Sequence, residues 1–183
     1  MSEEIFITID GPLGNPRVRE IVQPWSLDSY PVVLIAPESP EHVFTLHGRR
    51  VFVTGNNDVF SCDELERITP CLVNKPVFVT HDWDQKQRYN EHLTYHIGHV
   101  EATFYAQGKI LGTLKITDDE WRVRLLRHRL EASLPSLGIS LNLDVRLMES
   151  MGFKLVTEIV HIQSVDVIPA PALPAAGGHF LAI

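Results

Sequence analysis

The sequence has little cysteine, no excess of basic residues and no long apolar run, and each absence excludes a class of protein. Two cysteines, Cys62 and Cys71, lie nine positions apart in a predicted helix of the 183-residue chain. This arrangement disfavours a structural disulfide, so we expect a soluble protein of a reducing compartment. The formal net charge of −7 disfavours nucleic acid binding through the overall field of the molecule.

No apolar stretch could span a bilayer, and Met1-Ser2-Glu3-Glu4 does not have the pattern of a signal peptide. With 44% hydrophobic and 21% charged residues, the chain can bury a full globular core. The sequence shows neither an internal repeat nor a second core, so we predict one domain over residues 1–183. Residues 1–30 are predicted to form a loop-rich arm with a short strand, and residues 169–183 a C-terminal loop and tail.

Strand patterns outnumber helix patterns along the chain. Strands are predicted at residues 31–36, 76–80, 137–147 and 153–168, with hairpins at 42–54 and 99–116. Capping-box patterns at Ser61 and Thr117 predict two helix starts. Because hairpins join most of the strands, we predict a mainly β fold with flanking helices (α+β), in which a largely antiparallel sheet forms a closed or nearly closed barrel.

Ser140 lies in a segment with a period of two. Aliphatic residues alternate with Gly138, Ser140, Asn142 and Asp144, which predicts a strand with one core face and one polar face. The nearby glycine leaves room for another group to approach. Ser140 could be a nucleophile or an ordinary strand hydroxyl, because a serine needs a base that is itself oriented by a third group.

One single histidine and one group of three histidines are candidates for chemistry. His81 directly follows a buried-looking strand and precedes a polar segment, so it could be a general base; the alternative is an imidazole satisfied by a backbone carbonyl. His92, His96 and His99 have a spacing that could place three imidazoles on one helix face for zinc. Against this metal hypothesis, the segment around His99 resembles a strand start, and no clear acidic or cysteine fourth ligand lies nearby.

A third member could come from the segment at 153–168. By strict alternation Ile162, Ser164 and Asp166 share one face, and His161 lies on the other. Asp166, or more weakly His161, could orient an imidazole and stabilise the imidazolium. Both could face Ser140 only if a bulge lies between them. The alternative for each is a polar residue on a solvated strand face.

Together these motifs resemble a known family. His81 at a strand end, Leu137-Gly138-Ile139-Ser140 on a later strand, and Ser164-Val165-Asp166-Val167-Ile168 running into Pro-Ala are similar to the prohead (capsid maturation) proteases of tailed phages, which are related to the herpesvirus assemblins. The resemblance covers roughly residues 77–176. It implies a serine endopeptidase on a mostly antiparallel β-barrel of the assemblin type, with flanking helices.

The resemblance also implies roles for individual residues. His81 would be the general base and Ser140 the nucleophile. The position of the third member in many relatives aligns with Ser164, which is not an acid, so the role is carried to Asp166, with His161 as the alternative that needs a bulge. Backbone amides after the third member would stabilise the oxyanion; since prolines lack an N–H, the amides of Ala172 and Leu173 are the candidates.

The implied reaction is acyl transfer without a cofactor or metal. Its substrates would be scaffolding and major capsid proteins, cleaved inside the assembling prohead in the host cytoplasm, and family members often trim an extension of their own by autocleavage. Self-association stays open, and neither nucleic acid nor membrane is an expected partner. The alternatives are a non-catalytic β-rich capsid-assembly module of the same fold and a histidine-ligated metal hydrolase.

Overall fold

The computed structural model describes residues 28–37, 43–46, 48–53, 58–79, 95–130, 137–150, 152–169 and 178–180. The strands are β1 (Ser29–Ile35), β2 (Val43–Leu46), β3 (Arg49–Val53), β4 (Asp58–Ser61), β5 (Pro76–Phe78), β6 (His96–Ala106), β7 (Lys109–Ile116), β8 (Leu137–Ser150), β9 (Phe153–Pro169) and β10 (Gly178–Phe180). The helices are α1 (Cys62–Ile68), continued by a 3-10 turn (Thr69–Leu72), and α2 (Asp119–Leu130). The described chain is therefore mainly β with two short α-helices, as predicted.

The strands form one curled sheet. Its order is β2-β3-β4-β9-β5-β6-β7-β1-β10-β8, and β8 also pairs with β9. Pairing therefore runs from β9 through β5, β6, β7, β1, β10 and β8 back to β9. The pairs β4–β9 and β5–β9 are parallel, and the other described pairs are antiparallel. The prediction of a largely antiparallel sheet is confirmed.

The core lies on the inner face of this curled sheet. Ile139 of β8 and Val165 of β9 are fully buried there, together with Leu114 of β7. Burying one such side chain stabilises the fold by about 1.5–3 kcal/mol. Around Ser140, alternate residues of β8 and of β9 face this core. The residues between these core residues are held on the opposite face, and Ser140 is one of them.

The β8–β9 pairing contains three bulges. The register shifts between Asn142 and Leu143, between Asp144 and Val145, and between Arg146 and Leu147. The extra residues belong to β9, whose core residues Val156, Ile159, Ile162 and Val165 recur at every third position. A regular strand returns to the same face every two residues, so a spacing of three residues on one face requires one extra residue, a bulge, in each repeat. Our strict alternation was therefore wrong before Ser164: Ile162 faces the core and His161 faces away from it.

An ion pair on α1 binds the β9 backbone beside Val160. Val160 is the extra residue of the second bulge, which lies opposite Asp144 and Val145. The Glu64 carboxylate accepts a hydrogen bond from the backbone N–H of Ile159 at 2.6 Å. Arg67 Nη2 donates to the carbonyl of Ile159 at 2.9 Å and pairs with Glu64. The hydrogen bond from Arg67 holds the pKa of Glu64 below its usual value. The side chains of α1 thus satisfy peptide groups beside a break in the strand ladder.

Both helices begin near the predicted positions, but neither is capped as predicted. α1 starts directly after Ser61, whose side chain makes no capping hydrogen bond, and the Glu64 carboxylate accepts from Ile159 of β9 instead of closing a capping box. At α2, Asp118 Oδ1 accepts from the backbone N–H of Trp121 at 2.8 Å, so the cap is one residue after the predicted Thr117. Among the described helices, none has the length and apolarity needed to cross a membrane.

The C-terminal segment contributes a strand to the sheet. We predicted a loop and tail for residues 169–183, but residues 178–180 form β10 between β1 and β8. His179 lies opposite Val33 on one side and Gly138 on the other. Three residues are too few to give a periodic signal, so the sequence did not indicate this strand. The predicted arm up to residue 27 lies outside the described residues.

Candidate functional site

The pairing of β8 with β9 brings four polar residues to one place. Ser140 lies opposite Asp166, and Asn142 lies opposite Ser164. Residues directly opposite in an antiparallel pair share a face, with their Cβ atoms about 4.5–5.5 Å apart. These four residues, which we call the β8–β9 polar patch, therefore form one cluster on the face turned away from the core.

Asp166 is the most enclosed member of this patch. Its exposed fraction is 0% and that of Ser164 is 1%, and Ser164 Oγ donates a hydrogen bond to Asp166 Oδ1 at 2.8 Å. Aspartate is almost never fully buried unless its oxygens have partners. The Ser164 hydroxyl thus fixes one oxygen of a buried carboxylate that lies beside Ser140.

Ser140 itself is only half-buried, so its hydroxyl is more accessible than the carboxylate opposite. Gly138 lies two residues earlier on the same face, between His179 of β10 and Ile168 of β9. Gly138 is buried, and because it has no side chain a neighbouring group can lie close to the backbone of β8 beside Ser140. The arrangement suits a hydroxyl that must be approached by a second group.

The row that contains Ser140 and Asp166 continues onto β5 and β6. Phe78 of β5 lies opposite Asp166, and His96 of β6 lies opposite Phe78, with the two rings edge to face at 5.7 Å. Burial lowers the pKa of His96. Three strand spacings separate His96 from Ser140, a distance of about 14 Å. The His96 imidazole is therefore not placed to take a proton from Ser140.

The predicted general base and oxyanion donors lie outside the described residues. β5 ends at Phe78, three residues before His81 in the sequence. His81, Ala172 and Leu173 stay predictions from the sequence. Of the candidate catalytic residues, the described chain contains Ser140 and Asp166, and the pairing of β8 with β9 places these two opposite each other.

His161 is the alternative third member, and the structure separates it from Ser140. The bulge that this alternative requires is present, and it places His161 on the same face as the β8–β9 polar patch. However, His161 lies opposite Asp144, four residues along β8 from Ser140, or about 13 Å. Its side chain is exposed. Asp166 is therefore the better placed of the two candidates.

The helical zinc hypothesis does not fit the structure. His96 and His99 both lie on the extended strand β6, and not on a helix as the hypothesis requires. The third histidine of that set, His92, lies outside the described residues. Within the part of the chain that the structure describes, no group of three or more His, Cys, Asp or Glu residues could hold a metal ion.

Two of the hydrogen-bonded contacts described above were not predicted from the sequence. The hydrogen bond from Ser164 to Asp166 could have been found from their spacing, because residues two apart on a regular strand share a face. The contact of Glu64 and Arg67 with Ile159 had no such signal, since it joins residues more than 90 positions apart. Sequence patterns report local geometry and do not report which distant peptide group a helix will meet.

Comparison with protein-family models, with curated proteins and with solved structures found no match for this chain. Support for a function therefore comes from the residues of the chain and from the geometry of the β8–β9 polar patch.

Proposed function

We propose that this chain is a serine endopeptidase of the prohead-protease and assemblin type, with Ser140 as nucleophile, His81 as general base and Asp166 as the third member. The observation that carries the proposal is the position of Ser140 opposite a fully buried Asp166 that is hydrogen-bonded by Ser164. A carboxylate beside the nucleophile can accept a hydrogen bond from the imidazole of the base and stabilise the imidazolium.

The covalent chain supports His81 as the base. Phe78 lies next to Asp166 on the neighbouring strand, and three residues later the chain reaches His81. A stretch of three residues spans at most about 11 Å. The connection to β5 therefore limits how far His81 can lie from the carboxylate that would orient it.

The mechanism follows from these roles. His81 takes the Ser140 proton as Oγ attacks the carbonyl carbon of a peptide bond, and the backbone amides of Ala172 and Leu173 stabilise the oxyanion. The imidazolium then gives its proton to the leaving amine, and water releases the acyl group by the same steps in reverse. Each oxyanion donor contributes roughly 10²–10³ in rate.

The proposed substrates are scaffolding and major capsid proteins inside an assembling prohead in the host cytoplasm, with autocleavage of the protease itself. The proposed fold is the β-barrel of the assemblin type, which the curled, largely antiparallel sheet and its two helices support. The proposed reaction uses no cofactor or metal. His81 supplies the base, and the Ser140 hydroxyl supplies the nucleophile.

The proposal is tested by co-expressing the chain with candidate scaffolding and capsid proteins. Ser140→Ala should abolish their cleavage and leave the circular dichroism spectrum unchanged. Ser29→Ala is the matched control, because it removes the same group from a serine of β1 that lies outside the β8–β9 polar patch and has no proposed role in the chemistry. Cleavage that continues unchanged in Ser140→Ala would contradict the proposal.

The alternative is a non-catalytic assembly module of the same fold. It is favoured by the fact that Ser164 and Asp166 bond to each other in a buried site, since a polar pair of this kind can also serve to specify a core. A module of this kind would cleave neither scaffolding nor capsid proteins. Its Ser140→Ala variant would assemble with capsid proteins as the unaltered chain does.

A further inference from the structure

Strand β9 pairs with one edge of β8, and the short strand β10 pairs with only a small part of the other edge. β10 pairs with β8 at Gly138 and Ile139. From residue 141 to residue 150, the strand beside β8 in the described part of the chain is β9 alone. One backbone edge of β8 is therefore without a described strand partner over ten residues. Such an edge can pair with another extended chain.

The side chains on this part of β8 are exposed and partly apolar. Leu147 is 49% exposed and Met148 is 52% exposed. Natural edge strands are commonly protected by charges, prolines or covering elements, because exposed apolar edges associate. Here the charged residues that could protect the edge are Asp144, Arg146 and Glu149. Asp144 and Arg146 have opposite charges and flank Val145.

This charge pattern is complementary to itself. If two copies of β8 pair antiparallel with Val145 on the two-fold axis, Asp144 of each copy lies opposite Arg146 of the other. The same register places Leu143 opposite Leu147, so that the core face of each β8 continues into an aliphatic row from both copies. Opposite charges directly across a strand pair stabilise it by about 0.2–1 kcal/mol, and like charges destabilise it.

Neighbouring registers are disfavoured by the same residues. A two-fold axis at Asp144 would place two aspartates opposite each other, and an axis at Arg146 would oppose two arginines. An axis between adjacent residues would place polar side chains opposite the aliphatic row, because a one-residue shift exchanges the two faces. Among registers centred between residues 144 and 146, the one centred on Val145 is thus the one that opposes unlike charges and keeps the aliphatic row continuous.

Existing contacts are compatible with this pairing. Asp144 Oδ1 accepts a hydrogen bond from Gln163 at 2.7 Å, and Arg146 pairs with Glu158 at 2.7 Å. A carboxylate has two oxygens and a guanidinium five N–H donors, so both groups keep capacity for a further partner. The charge pair between copies would extend these contacts into a network across the interface.

We propose that a second copy of this chain pairs with the edge of β8 that lacks a described strand partner, antiparallel and centred on Val145. Pairing from Asn142 to Met148 leaves Ser140 outside the paired segment. The proposal is therefore independent of the proposed protease activity, and all of its tests can be made in the Ser140→Ala background.

Charge reversal tests the register. Analytical ultracentrifugation of the full chain over a roughly hundredfold concentration range should show a monomer–dimer equilibrium. Asp144→Arg and Arg146→Asp should each weaken the dimer at least about tenfold, since each converts two attractive pairs into two repulsive ones. The double variant D144R/R146D should restore it. Arg124→Asp on α2 is the matched control and should not change the equilibrium.

Cross-linking provides a second test that needs no charge reversal. In a Cys71→Ala background, Val145→Cys should give a disulfide-linked dimer under mild oxidation, because the two-fold axis brings the two positions within disulfide distance. Glu149→Cys, four residues from the axis, should not cross-link. A chain that stays monomeric throughout, single charge variants that dimerise normally, or a double variant that stays dissociated would each overturn the proposal.

Discussion

At the residue scale, the candidate site depends on how the buried Asp166 is held. Its carboxylate accepts a hydrogen bond from Ser164 and lies directly opposite Ser140. Hydrogen bonds to charged groups contribute about 1.5–3 kcal/mol, and more is lost when a buried charge is left without one. In the proposed mechanism, Ser164 would therefore act through Asp166, as a positioning residue that orients the acid.

Substitutions in this pair should affect the reaction to different degrees. Asp166→Asn should lower kcat by roughly 10³–10⁴ in the proposed protease, because the asparagine amide cannot stabilise the imidazolium as a carboxylate does. Ser164→Ala should lower kcat by about tenfold, which corresponds to a hydrogen bond of roughly 1.4 kcal/mol, and Ser164→Thr should restore it because threonine keeps the hydroxyl. Steady-state kinetics on a cleaved peptide measures all three.

The same three variants distinguish chemistry from packing. Thermal unfolding of each should be compared with its kcat, since a purely structural pair would lower Tm and leave the turnover of the folded fraction unchanged. Full activity in folded Asp166→Asn would remove Asp166 from the mechanism.

The sequence indicated the position of Ser140 and Asp166 because both lie in regular stretches of strand. The prediction of which face a side chain occupies was wrong for Ile162 and His161, because the core residues of β9 follow a period of three there. A three-residue spacing resembles neither a regular strand nor a helix, and it becomes clear only when the pairing with β8 shows an extra residue in each repeat.

At the element scale, the bulged strand β9 depends on a contact from α1. The backbone groups of Ile159 are bound by Glu64 and Arg67 beside the bulge at Val160. Side chains on a helix thus complete the hydrogen bonding of a strand that is distorted by its own core spacing. This contact joins α1 to the strand that carries Asp166.

Loss of the Glu64 carboxylate should destabilise the fold. Glu64→Ala leaves the N–H of Ile159 without its acceptor and should lower the free energy of unfolding by about 1–3 kcal/mol. Urea denaturation measures this change. Glu66→Ala on the same helix is the matched control, because Glu66 is exposed and should change stability little.

The stabilisation by Glu64 should also depend on pH. Because Arg67 lowers the pKa of Glu64 in the folded state below the ordinary value of 4.5, the folded chain binds this proton less readily than the unfolded chain. The stabilisation is complete above pH 4.5 and is lost as the pH falls through the lower folded value. The difference between the original chain and Glu64→Ala should therefore shrink in acid, and a difference that stays constant or grows would contradict this account.

At the scale of the whole molecule, the strands that pair with β9 determine where the candidate site lies in the sheet. β9 pairs antiparallel with β8 and parallel with β5, so the strand that carries Asp166 lies between the strand of Ser140 and the strand that precedes His81. Hairpin patterns predicted the antiparallel pairs β2–β3 and β6–β7. They could not predict the parallel pairs or the insertion of β10, because those pairings join segments that are distant in sequence.

The central claim is that Ser140 is an activated nucleophile, and the most direct measurement is covalent labelling. The folded chain should be treated with a fluorophosphonate probe and mapped by peptide mass spectrometry. The account predicts one adduct, on Ser140, that is absent in Ser140→Ala, greatly slowed in His81→Gln and unchanged in Ser29→Ala. The absence of an adduct on folded protein, or an adduct on another serine that persists in Ser140→Ala, would contradict it.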